Sequence, residues 1–265
     1  MSGQKDSKGR FGHLEVAPTA PAAASGEAAR EREAIGPADH VSRGQGLEQQ
    51  GRFDEALQAY SRALRQGAHI EAAWVGQLRC LVAMGEHNEA LTWAGRALEY
   101  LPQSTDIQSI RCIALARQGR MSEAMALSDK ILETGAASPL AWLARAWAHG
   151  DARMEAAERC VNKALEMPAD AQGTGSEAAT FYMAHENHAA ALRLLREVTR
   201  QRPALAHPWY LQALCLEAIG SVDEAAQAMR NAVRLAPDSR RYRDDAHRLE
   251  GANPLVSWWR RMFRK

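Results

Sequence analysis

His185-Glu186-Asn187-His188 comes nearer than any other stretch of this chain to a catalytic metal motif. A zinc-protease helix carries its histidines at i and i+4, so that both imidazoles reach one ion. Here they stand at i and i+3, no third ligand is apparent, and the segment reads as a solvated turn. The four cysteines, Cys80, Cys112, Cys160 and Cys215, are too far apart for a CxxC metal or redox pair. They read as small buried apolar side chains of a reducing compartment. Gly44-Gln45-Gly46 and Gly173-Thr174-Gly175 follow no strand and lack the third glycine or the lysine of a phosphate-binding loop. No serine stands in a GxSxG elbow. Asp223 and Glu224 fall at a helix start, where capping and the helix dipole account for them. The expectation is a non-catalytic chain, with no metal and no cofactor.

The elements that carry these residues are helical. The chain is 46% hydrophobic and 25% charged, enough for a sizeable core. Alanine, the best helix former, recurs at short intervals, and alternating β-branched runs are nearly absent. With 33 basic against 32 acidic residues the net charge is +1, which gives no reason to expect a nucleic-acid partner. The beginning of the sequence is polar, without an apolar stretch of signal-peptide type. No run approaches the ~18 apolar residues that span a bilayer. The expected location is cytoplasmic.

A phase runs through the sequence. Glycine, alanine five residues on and alanine seven beyond that appear at Gly51-Ala56-Ala63, Gly85-Ala90-Ala97 and Gly220-Ala225-Ala232. Gly119-Ala124-Ile131 is a variant, and successive early copies lie 34 residues apart. A copy around Ala157 and Ala164 has lost about one residue near its turn. Another has Glu186 in place of the glycine, then Ala191 and Val198. Trp74, Trp142 and Trp209 open units; Pro102, Pro168, Pro203 and Pro237 close them. The glycine fits a sharp turn favouring φ > 0 between two helices, and the alanines fit their closest approach. Ser221 with Glu224 has the spacing of a capping box, and Ser138-Pro139 that of an N-cap followed by a first-turn proline. One such unit cannot bury its apolar face alone; stacking does.

With this period, the opening Trp, the mid-unit Gly, the paired Ala and the closing Pro, the sequence resembles the tetratricopeptide repeat family over roughly residues 37–238. The resemblance implies an all-α right-handed solenoid of about six helix-turn-helix repeats. It also implies that target peptides lie across positions 5, 9 and 12 of the first helices. Position 5 maps to Val41, Val75, Ser109, Leu143, Ser176 and Tyr210. Position 9 maps to Gln45, Arg79, Ile113, Trp147, Thr180 and Leu214. Family members that grip a C-terminal carboxylate for chaperone binding have Lys and Asn where Val41 and Gln45 stand, which argues against that role. The expected groove is apolar in its middle, around Ile113, Leu143 and Trp147. Leu143 and Trp147 also fit a second reading, as core within the repeats.

The two ends differ. Residues 1–36 are rich in Ala, Pro, Gly, Ser and charge, and are expected to be disordered. Phe11, Leu14 and Val16 form an apolar island in this arm, either a short docking motif or chance composition. Residues 239–251 read as a polar capping helix ended by Gly251. Residues 252–265 read as a basic amphipathic helix after Asn253-Pro254. Its apolar stripe is Leu255, Trp258, Trp259, Met262 and Phe263, with Arg260, Arg261, Arg264 and Lys265 elsewhere on the wheel. The function expected is a protein-interaction adaptor or scaffold that binds a peptide or helix in the groove. The alternative is a peripheral membrane scaffold whose tail makes weak contact with an anionic surface.

Overall fold

The computed structural model describes Leu14 and residues 36–135, 138–167 and 171–252. Among these are thirteen α-helices and no strand. Twelve pair off in sequence: α1 (Pro37–Gln49) with α2 (Phe53–Gln66), α3 (Glu71–Ala83) with α4 (His87–Tyr100), and α5 (Thr105–Arg117) with α6 (Met121–Glu133). Then come α7 (Pro139–His149) with α8 (Met154–Glu166), α9 (Ala171–Ala184) with α10 (His188–Gln201), and α11 (Ala206–Ala218) with α12 (Val222–Leu235). The thirteenth, α13 (Arg240–Ala252), follows alone. This is the all-α helix-turn-helix repeat architecture that the 34-residue phase demands.

The turn inside each pair explains the mid-unit glycine. Gly51, Gly85, Gly119 and Gly220 have φ of 69°, 82°, 78° and 82°. At Gly85 the N–H donates to Val82 O at 3.1 Å and the following N–H, of Glu86, to Leu81 O at 2.9 Å. Both bonds satisfy carbonyls that the end of α3 would otherwise leave bare. Glu186 takes the glycine's place with φ of 58°, and the bonds repeat: Glu186 N–H to Met183 O at 3.2 Å, Asn187 N–H to Tyr182 O at 2.9 Å. In the fourth pair Gly150 ends a first helix of 11 residues rather than 13, and a 3₁₀ turn, Asp151–Arg153, leads into α8. The lost residue is thus a shorter helix partly offset by a longer turn.

Caps differ from the sequence reading at one place. Ser138 Oγ accepts from Ala141 N–H at 3.2 Å with Pro139 in the first turn, as its spacing requires. Ser221 precedes α12 but its side chain makes no cap bond. The tight glycine turn holds Ser221 at ψ 67° and sends its N–H back to Leu216 O at 2.8 Å, so the reciprocal capping box does not form. Glu224 instead pairs with Arg196 at 3.0 Å.

The helices fall into two compact units, Met1–Glu48 with Arg52–Arg111, and Gln49–Gly51 with Cys112–Lys265. In the first, Trp74 is fully buried, stacked 6.3 Å from Tyr100 and 6.4 Å from Trp93. Its Nε1–H donates to Ala68 O at 2.8 Å, in the loop before α3. Trp209 does the same in the second unit, to Pro203 O at 3.0 Å. The opening tryptophan therefore ties each unit to the loop that closes the one before. Leu14 retains no exposed surface; Phe11 and Val16 lie outside the described residues.

In the second unit α13 is polar on one side only. Tyr242 and Leu249 are buried, and Tyr242 stacks on Tyr210 with ring centroids 4.5 Å apart. Gly251 does not end this helix, which runs to Ala252. A glycine costs a helix only about 1 kcal/mol, whereas Asn253-Pro254 beyond it is the stronger stop. The tail stripe of Leu255, Trp258, Trp259, Met262 and Phe263 with its cations lies outside the described residues.

Candidate functional site: the face of the first helices

In the second unit, α9 packs against both α7 and α11, so the first helices of consecutive repeats form a row. The turns of α5 and α7 that follow the fifth and ninth positions share one face by i, i+4 spacing: Ser109, Ile113 and Arg117 on α5, Leu143 and Trp147 on α7. Asp151 extends the second series into the 3₁₀ turn.

Most of the apolar residues on this face are covered. Ile113 is 3% exposed, Leu143 1%, Trp147 5% and Tyr210 2%. Ser109 is buried with its hydroxyl donating to Thr105 O at 2.7 Å. Ser176, Thr180 and Leu214 keep partial exposure, Thr180 donating to Ser176 O at 3.0 Å. The expected apolar middle is therefore packed inward at Ile113, Leu143 and Trp147, because adjacent first helices lie on one another there. The open positions flank it, at Thr180 and Leu214.

In the first unit Val41 is buried, Val75 half-buried and Gln45 exposed. Arg79 Nε pairs with Glu48 Oε1 at 3.0 Å, and Glu48 Oε2 accepts from the Tyr60 hydroxyl at 2.9 Å. Arg79 is thereby held on its helix rather than free to roam.

Trp147 is the centre of a cluster that sequence reasoning missed. Phe181 of α9 meets its ring edge to face at 5.3 Å, His185 lies 5.6 Å away, and Phe181 and His185 are 4.4 Å apart. The Arg117 guanidinium sits 5.3 Å from the indole centroid, a cation–π contact. Burial pushes the Arg117 pKa below its usual value, opposed by the charge of Glu177. His185 is no solvated turn residue: its side chain is 8% exposed and its Nδ1 lies 2.5 Å from Asp151 Oδ1. Asn187 beside it caps α10 through Oδ1, accepting from Ala190 N–H at 3.2 Å. The signal for Arg117 and Asp151 was present in the sequence, one turn beyond the ninth position.

The glycine pairs have packing roles. Gly44 lies against the Tyr60 ring, and a Cβ on Gly175 would meet Val198 Cγ2 at 2.8 Å. Among the described residues no three His, Cys, Asp or Glu side chains are grouped to hold a metal ion. Among the same residues no helix is long and apolar enough to cross a membrane.

The tetratricopeptide repeat profile matches residues 47–111 and again 177–240. No curated protein matches the chain by sequence. Among solved structures, one similar chain belongs to the APC/C hetero-tetramer Cut9–Hcn1, at 14% identity and a TM-score of 0.49. That match covers 83% of this chain but only 44% of the other, so the chain spans less than half that protein's length. A tetratricopeptide repeat protein from Parabacteroides merdae matches at 21% identity and TM-score 0.50, over 84% of this chain and 88% of the other. A thermophilic repeat protein from Thermus thermophilus matches at 20% identity and TM-score 0.51, over 69% and 98%. Profile matches at both ends of the helical array, the repeated glycine turn and the paired helices agree: the chain belongs to the tetratricopeptide repeat family.

Proposed function

We propose that this chain is a non-catalytic adaptor that holds a peptide or helix of another protein against the face of its first helices. The observation that carries the reading is the partial exposure of Thr180 and Leu214 beside the covered Trp147, in a row of first helices. Such a row offers a continuous surface, while a single repeat offers one turn of helix. Interaction through packed repeats, with no reacting group required, is what stacked helix pairs supply most readily. Gln45, Val75 and Arg79 give the first unit its own share of that surface.

Selection of binders from a random peptide display library on the full chain tests this. Leu214→Glu places a charge on the half-exposed ninth position of α11 and should weaken the selected peptides at least ~10-fold, about 1.4 kcal/mol. Helical content should be unchanged. Peptides that bind parent and variant alike would put the partner elsewhere.

A further inference from the structure

Trp147 Nε1 and His185 Nε2 are both buried and neither has a hydrogen-bond partner. Their residues are 5% exposed and, for the His185 side chain, 8% exposed, and the two rings are neighbours at 5.6 Å. Buried polar groups are nearly always satisfied, so an adjacent unpaired couple calls for a third group.

The chemistry of that group follows from the two nitrogens. An indole Nε1–H only donates. On His185, Nδ1 faces the carboxylate of Asp151, which only accepts, so Nδ1 carries the proton. In the neutral ring Nε2 is then an acceptor. The pair thus offers one donor and one acceptor. A carboxylate would satisfy the indole but meet the Nε2 lone pair, and its charge would add to those of Asp151 and Glu177. An ammonium would satisfy Nε2 and oppose Arg117. A carboxamide presents a C=O for the indole and an N–H for the imidazole on one planar group. Phe181 provides an aromatic wall, 5.3 Å from the indole and 4.4 Å from the imidazole. The Arg117 guanidinium covers the indole face and moves aside to admit it.

We propose that the slot between Trp147 and His185 is a receptor for an amide group of the bound partner, an Asn or Gln side chain or a backbone peptide group. This rests on the reading of the first helices as the binding face, and specifies what part of it recognises.

Nitrogen-15 NMR of the full chain tests it with three small probes: propionamide for a side-chain amide, N-methylacetamide for a peptide group, and propionate as the charged control. Trp147→Phe and His185→Phe assign the two signals. The expected result is that an amide shifts the Trp147 indole N–H and the His185 Nε2 resonance together, with one midpoint, while propionate does not. A response to propionamide alone identifies a side-chain amide; a response to N-methylacetamide identifies a peptide group. His185→Phe should abolish the indole response, and Trp147→Phe the imidazole response, so either variant serves if the other fails to fold. If neither amide moves the pair, the slot holds water only and the proposal fails. It fails also if propionate acts equally, or if each signal responds without the other's ring. Small amides report on the slot whether or not peptides bind, so its failure is separable from that of the adaptor reading.

Discussion

Gly76 lies directly against the ring of Tyr60, and a Cβ there would come within 2.6 Å of the ring carbon Cε1. Gly44 approaches the same carbon from α1 at the same distance. Tyr60 is thus clasped between two first helices, its hydroxyl fixed on Glu48. Gly76→Ala should therefore destabilise the protein, by about 1–3 kcal/mol from overpacking. Gly46 and Gly95 are also helical but have nothing within 4 Å of a built Cβ. Alanine there should stabilise by roughly 0.5–1 kcal/mol. Urea unfolding of the three variants checks the opposite signs; a common sign would mean the close approach at Tyr60 is absent.

Glu186 is a non-glycine residue held at φ 58°. The left-handed conformation costs an L-residue about 1–2 kcal/mol, and glycine's extra chain entropy returns about 0.5–1. Glu186→Gly should thus stabilise slightly, by about 0.5 kcal/mol net of those two terms. Gly85→Val, at φ 82° with open space around it, should cost about 1–3 kcal/mol from backbone strain alone. Thermal melts in opposite directions are expected. A Gly85→Val protein that melts like its parent would remove the glycine turn from the account.

How legible was this molecule in its sequence? The repeat was, because glycine at a left-handed turn and alanine at a close helix contact are backbone requirements that leave a mark on residue type. Even Glu186 stood out as a substitute in phase. The inward packing of Leu143 and Tyr210 was not readable, because a position facing a groove and one facing the next first helix share the same helical spacing. Nor was the burial of His185, which depends on α7, α9 and the 3₁₀ turn at Asp151 meeting across 34 residues of chain. Gly251 misled because a glycine late in a helix and one after its end look alike.

Burial raises the Cys112 thiol to about 12 and that of Cys215 to about 11. Native protein at pH 8 should leave all four cysteines unmodified by a thiol reagent, since each is buried. Unfolding returns the thiols to an ordinary value near 9. The buried, neutral thiols therefore favour the fold below that value and lose the advantage as pH rises from about 9 towards about 12. Mass spectrometry before and after urea checks this; rapid native labelling of Cys112 would contradict its packing on Ala124 and Ala144.

Leu14 keeps none of its surface exposed, far along the chain from the first helix. Leu14→Ala should lower stability by about 2–4 kcal/mol, the usual cost of truncating a buried leucine. An unchanged melting curve would show that its burial contributes nothing to folding.

The central claim, that a partner lies on the face of the first helices, is tested most directly by hydrogen exchange of the full chain with and without a peptide selected on it. Slowed exchange should concentrate in α7, α9 and α11 of the second unit, with α8, α10 and α12 unaffected. Protection confined to α8, α10 and α12 would place the partner on the opposite face and contradict the account.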